Sequence, residues 1–201
     1  MPVSLFPQAD VTSRTRIAAS SGTAARMSLF PQAGAASRTA YISLGSNLGA
    51  PAANLAAALE SLARLPGVRV LAVSRVFRTD PQDFRDQPFF LNMTAALDCA
   101  PPRDASELLD DLLRTEEEIG RVRSGQRSGP RVIDLDLLLF GNQVMNTQRL
   151  ILPHPRILER AFVLVPLSEI APGLALPGGP EIGEALLRIA YRREGDLIRQ
   201  P

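Results

Sequence analysis

Two aspartates separated by a single residue, Asp134 and Asp136, form the pair best suited to chemistry in this sequence. They interrupt an apolar run from Val132 to Phe140 that predicts a strand, so both side chains should emerge on one face, roughly 6 to 7 Å apart at their bases. The alternating residues would point into the core: Ile133, Leu135 and Leu137. Carboxylates this close repel one another unless a cation lies between them, and their oxygens suit magnesium. The pair therefore predicts a metal site, although aspartates also alternate on ordinary solvated strands.

A run of arginines precedes the pair. Four of them fall within eleven residues, with no acidic residue between Glu118 and Asp134: Arg121, Arg123, Arg127 and Arg131. Guanidinium forks match phosphate oxygens, and Gly125 and Gly129 leave such a loop free to close over a ligand. A solvated basic loop is the plainer alternative. Directly before two metal-type carboxylates, however, the run predicts a clamp for a triphosphate.

The composition restricts which enzymes fit this pattern. The chain of 201 residues contains no lysine, so its 22 basic residues are all arginines, and neither a P-loop lysine nor a protein-kinase strand lysine is available. Phosphoryl transfer needs alignment, magnesium across the phosphate oxygens, and positive charge on the transferring group. The sequence therefore predicts a magnesium-dependent enzyme that holds ATP through arginine.

The net charge, the cysteine content and the distribution of apolar residues indicate no further class of binding partner. A net charge of +1 gives no general attraction to nucleic acid or to a membrane surface. The single cysteine, Cys99, has no partner for an internal disulfide, and the sequence shows neither a signal-peptide pattern nor a run of 18 apolar residues. We expect a cytoplasmic protein without a membrane or nucleic-acid partner.

Strands and helices alternate irregularly behind the arginine loop and its aspartates. Hydrophobic spacing and turn residues predict, in order, a strand at 39–44, a turn at 45–51, a helix at 52–65, strands at 68–77 and 89–97 that pair antiparallel, a helix from 104 to about 120, and a helix at 182–191. This mixture predicts an α+β fold and not repeated βαβ units. The simplest arrangement is a ferredoxin-like, mostly antiparallel sheet with helices on one face and the active site on the open face.

Two of these elements carry unusual polar residues. On the strand at 89–97, Phe90 and Asn92 must share a face, because side chains alternate along a strand. The helix that opens with the capping-box pair Asp104 and Glu107 ends in three glutamates, which oppose its dipole: Glu116, Glu117 and Glu118. We expect a nearby arginine cluster to compensate them.

The first 38 residues are predicted to be a disordered tail, and residues 39–201 the folded domain. The tail is rich in Ala, Ser, Thr and Arg, and its segment at 4–9, SLFPQA, returns at 28–33. A duplicated leader, a true start at Met27 and a docking peptide are the alternatives. Its composition resembles an organellar transit peptide, but the repeated Phe-Pro pairs break the amphipathic helix that such a peptide needs.

Several segments together resemble the hydroxymethyldihydropterin pyrophosphokinase family, from about Thr39 to Pro172. The family's signature region is matched by Arg127, Gly129-Pro130-Arg131 and Asp134-Leu135-Asp136-Leu137-Leu138. Further matches are Tyr41-Ile42-Ser43-Leu44-Gly45-Ser46-Asn47-Leu48, Arg78-Thr79, Gln87-Pro88, Phe90-Leu91-Asn92, Leu139-Phe140-Gly141-Asn142 and Pro153-His154-Pro155.

The resemblance implies transfer of pyrophosphate from ATP to the hydroxymethyl group of a dihydropterin, with attack at the β-phosphorus and release of AMP. Asp134 and Asp136 would hold two magnesium ions, and Asp136 is also a candidate acceptor of the hydroxyl proton. The triphosphate, or the loop that closes over it, would be contacted by Arg121, Arg123 and Arg131.

The resemblance also divides the substrate contacts. Phe90 and Phe162 would sandwich the pterin ring, while Asn92 and the backbone near Thr79 would bind its edge. Four residues fall on the nucleotide side: Glu116, Arg149, His154 and Arg160. His154, the only histidine, is equally well read as a structural turn residue between two prolines. The implied partners are ATP and the pterin, for a monomer or weak dimer. Association with the next folate-pathway enzyme is left open by the sequence.

Three positions depart from the family pattern. Ser128 stands where tryptophan is common, Ser124 where a lysine sits, and Leu113 replaces a glutamine-type nucleotide contact. These departures keep an inactive relative open as an alternative. A second alternative is an RNA-binding sheet of the RRM type, with Phe90 stacking on bases, but the RRM aromatic motif is missing and the aspartates would repel a phosphate backbone.

Overall fold

The computed structural model describes residues 36–82, 84–122 and 129–201. The first half of the domain consists of β1 (Arg38–Ser46), α1 (Pro51–Arg64), β2 (Val68–Val73), β3 (Phe77–Thr79), β4 (Phe90–Cys99) and α2 (Ala105–Glu118). The second half consists of β5 (Asp134–Phe140), β6 (Met145–Asn146), β7 (Ile151–Leu152), a 3-10 turn (Ile157–Glu159), α3 (Ala161–Ile170), α4 (Ile182–Arg188), β8 (Arg192–Glu194) and β9 (Leu197–Arg199). The duplicated segment and most of the predicted tail lie outside the described residues.

Seven strands form the main sheet, in the order β5-β1-β4-β3-β9-β8, with β2 paired to the C-terminal half of β4. All its pairs are antiparallel except β3 with β9. This confirms a mixed α+β fold built on a mostly antiparallel sheet. The single strand predicted at 68–77 is instead two strands. They separate at Ser74, whose N–H donates to the Thr94 carbonyl and whose hydroxyl accepts the Thr94 N–H, each at 2.9 Å.

One face of the sheet packs against α1 and α2 and forms the largest core. Leu55 and Leu62 of α1 and Leu108 and Leu112 of α2 are buried there against β1, β4 and β5. Helix α1 begins at Pro51, one residue earlier than predicted, because proline fits the first position of a helix. The start of α2 follows its predicted signal: the Asp104 carboxylate accepts the N–H groups of residues 106 and 107 at 2.8 and 2.9 Å, and the Glu107 carboxylate accepts the Asp104 N–H at 3.0 Å, which completes the capping box.

The opposite face is not open, so the prediction of helices on one face only is wrong. Tyr41 of β1 and Leu139 of β5 pack with α3 and α4, and Phe77 of β3 packs with Ala161 and Val165 of α3. The physical reason is the apolar character of this face, which needs cover as much as the first face does. The polar residues of the face remain beside α3.

Strand register places the paired aspartates on this second face. Asp134 lies opposite Gly45, and Asp136 lies opposite Ser43. A bulge at Leu138 then shifts the register, because Ile42 pairs with Leu137 while Tyr41 pairs with Leu139. Ile133, Leu135 and Leu137 are buried in the first core, as the alternation predicted.

The C-terminal segment differs from the helix predicted at 182–191. Helix α4 ends at Arg188, and the chain continues as the short hairpin β8–β9, whose turn includes Gly195 at φ +61°. Strand β9 joins the edge of β3, with Arg78 opposite Leu197 and Thr79 opposite Ile198. Over the three described ranges, no helix is both long and apolar enough to cross a membrane.

Candidate active site

The central row of the site crosses three neighbouring strands. Asp134 on β5 and Asn92 on β4 both pair with Gly45 on β1, so their side chains lie on the same face with one strand between them, about 10 Å apart. A Cβ atom at Gly45 would lie 2.6 Å from Oδ1 of Asn92. Glycine is therefore required between the two functional side chains.

The carboxylate of Asp134 sits between two guanidinium groups. Arg121 donates to its Oδ1 at 2.6 Å, and Arg131 donates to its Oδ2 at 2.7 Å. Arg121 also pairs with the carboxylate of Glu116, which is 2% exposed and accepts the N–H of Leu135 at 2.7 Å. Burial alone lowers the pKa of Arg121, but the charges of Asp134 and Glu116 outweigh it and raise that pKa. Arg121 thus provides the arginine partner expected beside the glutamates of α2, for Glu116.

Asp136 has a weaker charge partner. Nη1 of Arg160 lies 3.6 Å from its Oδ2, and 33% of the Asp136 side chain is exposed. Desolvation and then the negative charge of Asp134 raise the pKa of Asp136 to about 7. A carboxylate in this position gains from a cation, and the two aspartates supply the hard oxygen donors that Mg²⁺ prefers. Within the described residues, no three Asp, Glu, His or Cys side chains cluster as a metal centre.

Asn47 joins the charged half of the site to the loop before β4. Its Oδ1 accepts the Arg131 N–H at 2.8 Å, and its Nδ2 donates to Gln87 Oε1 at 3.0 Å and to the Pro88 carbonyl at 3.1 Å. The backbone N–H groups of Asn47 and Leu48 donate in turn to the Arg131 carbonyl. Sequence reasoning gave Asn47 no role, although its place in a Gly-Ser-Asn turn directly after β1 was a signal.

The neutral half of the site lies on β3 and β4. Nδ2 of Asn92 donates to Oγ1 of Thr79 at 2.7 Å, and both side chains are buried. Phe90 pairs with Thr79 across the strands, and its ring centroid lies 5.9 Å from the guanidinium carbon of Arg131. The structure therefore brings together three residues that were predicted to bind the same ligand: Thr79, Phe90 and Asn92.

The start of α3 closes the site from another side. Arg160 is the N-cap residue, and its guanidinium carbon lies 5.4 Å from the ring centroid of Phe162. His154 is held nearby, since its N–H donates to the Leu138 carbonyl at 2.9 Å and its Nδ1 accepts the Arg156 N–H at 3.2 Å. Burial, followed by the charges of Arg160 and Arg156, lowers the pKa of His154 to about 4. His154 is therefore neutral at physiological pH.

Apart from Phe162 and His154, which lie at and near the start of α3, the predicted site residues fall into three groups. The structure brings together Asp134, Asp136, Arg121, Arg131, Glu116 and Arg160 by ion pairs, and Thr79, Asn92 and Phe90 by strand pairing. Arg149 makes its ion pair elsewhere, with the exposed Asp110 of α2. Arg123 lies outside the described residues, as do Arg127, Ser124 and Ser128.

Paired carboxylates among arginines, beside a neutral aromatic surface, are an arrangement suited to phosphoryl transfer onto an uncharged acceptor. The model of the family described as 7,8-dihydro-6-hydroxymethylpterin-pyrophosphokinase (HPPK) matches residues 41–172. The chain belongs to this family. It is a pyrophosphokinase of folate biosynthesis, which favours the enzyme interpretation over the RNA-binding alternative.

Bacterial relatives support the assignment over most of their length. The chain is 48% identical over 150 residues to the 2-amino-4-hydroxy-6-hydroxymethyldihydropteridine pyrophosphokinase of Methylorubrum extorquens, which covers 75% of this chain and 92% of that protein. It is 48% identical over 147 residues to the Pseudomonas aeruginosa enzyme of the same name, covering 73% of this chain and 88% of that protein.

Solved structures show the same fold at low sequence identity. The Plasmodium falciparum HPPK-DHPS wild type with pteroate aligns with a TM-score of 0.60 and 12% identity, over 84% of this chain and 48% of that chain. An HPPK-DHPS in complex with substrates aligns with a TM-score of 0.56 and 13% identity, over 74% of this chain and 43% of that chain. The chain thus spans less than half the length of these two larger proteins.

Proposed function

We propose that the chain transfers pyrophosphate from ATP to the hydroxymethyl group of 6-hydroxymethyl-7,8-dihydropterin with the help of two magnesium ions, and releases AMP. Asp134 and Asp136 would hold the ions. The observation that carries this proposal is the placement of both aspartates on one sheet face, with Asp134 between Arg121 and Arg131. Magnesium, when bound, would neutralise phosphate charge beside these residues.

Arg121 and Arg131 would contact the triphosphate. They are already within 2.7 Å of Asp134, so their guanidinium groups stand next to the proposed ion site. Glu116 would act through Arg121, because its Oε1 accepts from both Arg121 and the Leu135 N–H. Asp136, whose Oδ2 lies 3.6 Å from Arg160, is the proposed acceptor of the hydroxyl proton.

The other nucleotide contacts would come from Arg123, Arg149, His154 and Arg160. Arg160 is the best supported of these, since it already pairs with Asp136. His154 would act as a neutral hydrogen-bonding group and not as a cation, because its pKa is lowered to about 4. Arg149 would first have to leave Asp110.

The pterin would lie against Phe90 and Phe162, with its edge on Asn92 and Thr79. Flat heterocycles stack on aromatic rings in offset geometry, and a buried amide reads a pattern of donors and acceptors. The hydrogen bond from Asn92 to Thr79 supports this role because it leaves Oδ1 of Asn92 to accept from a ligand and fixes the amide orientation.

We propose further that the active site uses the second sheet face of a ferredoxin-like arrangement. The enzyme would work in the cytoplasm as a monomer or weak dimer, and the HPPK-DHPS fusions among its structural neighbours support association with the next folate-pathway enzyme. Residues 1–38 would be a tail separate from catalysis. Removal of residues 1–26 should therefore leave kcat and KM unchanged, and a large loss of rate would contradict this.

Analysis of the nucleotide product tests the reaction. The protein is incubated with ATP, magnesium and 6-hydroxymethyl-7,8-dihydropterin, and AMP and ADP are separated, with EDTA in a parallel sample. We expect AMP in equal amounts with the pterin product, and no turnover in EDTA. Formation of ADP would contradict pyrophosphoryl transfer, turnover in EDTA would contradict the magnesium proposal, and no turnover at all would support the inactive alternative.

A further inference from the structure

The C-terminal strand β9 contacts two segments of the proposed site. One is β3, which carries Thr79 at the proposed pterin site, and the other is the start of α3, which carries Arg160, the partner of Asp136. Its Ile198 pairs with Thr79 of β3 and is buried beside Ala161 of α3. These residues of β9 lie beyond residues 41–172, where the family match ends. The strand therefore connects two parts of the site that are far apart in the chain.

Gln200, directly after β9, spans the start of α3 with its side-chain amide. Its Oε1 accepts the N–H of Ala161 at 2.8 Å, and its Nε2 donates to the carbonyl of Glu159 at 2.6 Å. The first N–H groups of a helix have no partner within the helix, and the N-cap residue of α3, Arg160, provides no side-chain cap. Gln200 supplies this cap from a distant part of the sequence.

The two hydrogen bonds flank Arg160 on both sides. They hold the backbone of this residue at φ −116° and ψ 107°, between the 3-10 turn and α3. From there the Arg160 side chain, 17% exposed, reaches Asp136 at 3.6 Å and lies 5.4 Å from the Phe162 ring. Without the Gln200 amide, the helix start would lose these two hydrogen bonds, and the side chains of Arg160 and Phe162 would be held less firmly.

We propose that Gln200 is a positioning residue that holds Arg160 in the orientation used for pyrophosphoryl transfer. This inference rests on the role proposed above for Arg160. A displacement of about 1 Å in such a group is enough to slow a reaction substantially, because catalysis depends on alignment. Gln200 itself touches neither substrate in this account.

The test is a double-mutant cycle on the full-length chain. Gln200→Ala removes the amide, Gln200→Met keeps an unbranched stem of similar length without the two hydrogen bonds, and Gln143→Ala removes a glutamine from the turn between β5 and β6 as a matched control. These three variants are compared with Arg160→Met and with the Gln200→Met/Arg160→Met double variant. For each protein we measure kcat and the KM values for ATP and for the pterin. Thermal unfolding and circular dichroism report the fold.

We expect Gln200→Ala and Gln200→Met to lower kcat/KM for ATP about tenfold, Arg160→Met about a hundredfold, and the combined variant no further than Arg160→Met alone. Gln143→Ala should match the wild type. If the alanine variant does not fold, the methionine variant carries the test alone.

Three results would overturn the inference. Wild-type kinetics for a folded Gln200 variant, beside a defective Arg160→Met, would contradict it without affecting the proposed reaction. Losses that multiply in the combined variant would show that Gln200 acts independently of Arg160. A fully active Arg160→Met would contradict the proposed role of Arg160 and the inference together, while AMP formation by the wild type would still support the reaction.

Discussion

The two halves of the site differ in their electrostatics: one is crowded with charged side chains, and the other is neutral. In the charged half, Asp134, Asp136 and Glu116 crowd together and are balanced by arginines, yet Asp136 still has its pKa raised to about 7. In the neutral half, Asn92 and Thr79 satisfy one another through a hydrogen bond of 2.7 Å. In the first half, burial and the neighbouring Asp134 still disfavour the charge on Asp136, whereas in the second half the two polar side chains are hydrogen-bonded to one another.

Except for Glu116, which is 2% exposed, solvent exposure follows the same division. The side chains of Asp134 and Asp136 are 23% and 33% exposed, while Thr79 and Asn92 are only 3% and 4% exposed as whole residues. A site that must admit ions and a triphosphate needs charged groups with access to water. A site that recognises a flat heterocycle gains from groups held rigidly before binding, because less ordering remains to be done when the ligand arrives. The following variants test this division.

The largest effect is expected in the charged half. Asp136→Ala should lower kcat by at least about a thousandfold, because it removes a proposed magnesium ligand and proton acceptor from the reacting group. Thermal unfolding should show an intact fold, since Asp136 is partly exposed. The matched control is Asp98→Ala, another strand aspartate that pairs with Arg69. Turnover near the wild-type rate in Asp136→Ala would remove the metal assignment.

Arg121 should matter for both stability and rate. Arg121→Met leaves Glu116, 2% exposed, without this ion-pair partner, which should cost about 3 kcal/mol in the free energy of unfolding and about a hundredfold in kcat. Adding Glu116→Gln removes the buried charge, so urea unfolding should show much of the stability restored while kcat stays low. If the double variant is as unstable as Arg121→Met, the buried charge is not the cause.

The boundary between the halves is tested at Gly45. In Gly45→Ala the new methyl group would lie 2.6 Å from Oδ1 of Asn92, so the amide must shift. We expect the KM for the pterin to rise about tenfold while the KM for ATP stays within about twofold. Gly173→Ala is the control, because its Cβ would meet nothing within 4 Å. Equal changes in both KM values would mean that the halves are not separate.

The smallest effect concerns His154, a neutral residue in the charged half. Its folded pKa of about 4 lies below the usual 6.5, so between these values the unfolded chain binds a proton that the native protein does not. The contribution of His154 to stability should therefore fall by about 1 kcal/mol as pH falls from 7.5 to 5.5. The raised pKa of Asp136 acts in the opposite direction in both proteins, so the test is the difference between them. Urea unfolding of wild type and His154→Asn tests this. Parallel pH curves would contradict the lowered pKa.

Local sequence signals predicted much of this arrangement. The capping box at Asp104 predicted α2, the alternation around Phe90 predicted the two faces of β4, and the spacing of Asp134 and Asp136 predicted their common face. In each case the deciding interaction lies within the element itself. Such signals require no knowledge of distant neighbours.

The features missed depend on distant contacts. Strand β9 is three residues long and is stabilised by pairing with β3, so no hydrophobic periodicity in its own sequence predicts it. The cover of the second face by α3 reflects packing across the sheet, and the link from Asn47 to Arg131 joins residues 84 positions apart. Long-range geometry, which a single sequence does not display, decides all three.

The proposal that the charged half binds the nucleotide and the neutral half binds the pterin is tested most directly by isothermal titration calorimetry. The proteins compared are the wild type and an Asp134→Ala/Asp136→Ala double variant. Each protein is titrated with a non-hydrolysable ATP analogue in magnesium and, separately, with 6-hydroxymethyl-7,8-dihydropterin. We predict that the double variant loses at least about tenfold in affinity for the nucleotide and binds the pterin as the wild type does. Unchanged nucleotide affinity, or a comparable loss of pterin affinity, would contradict the account.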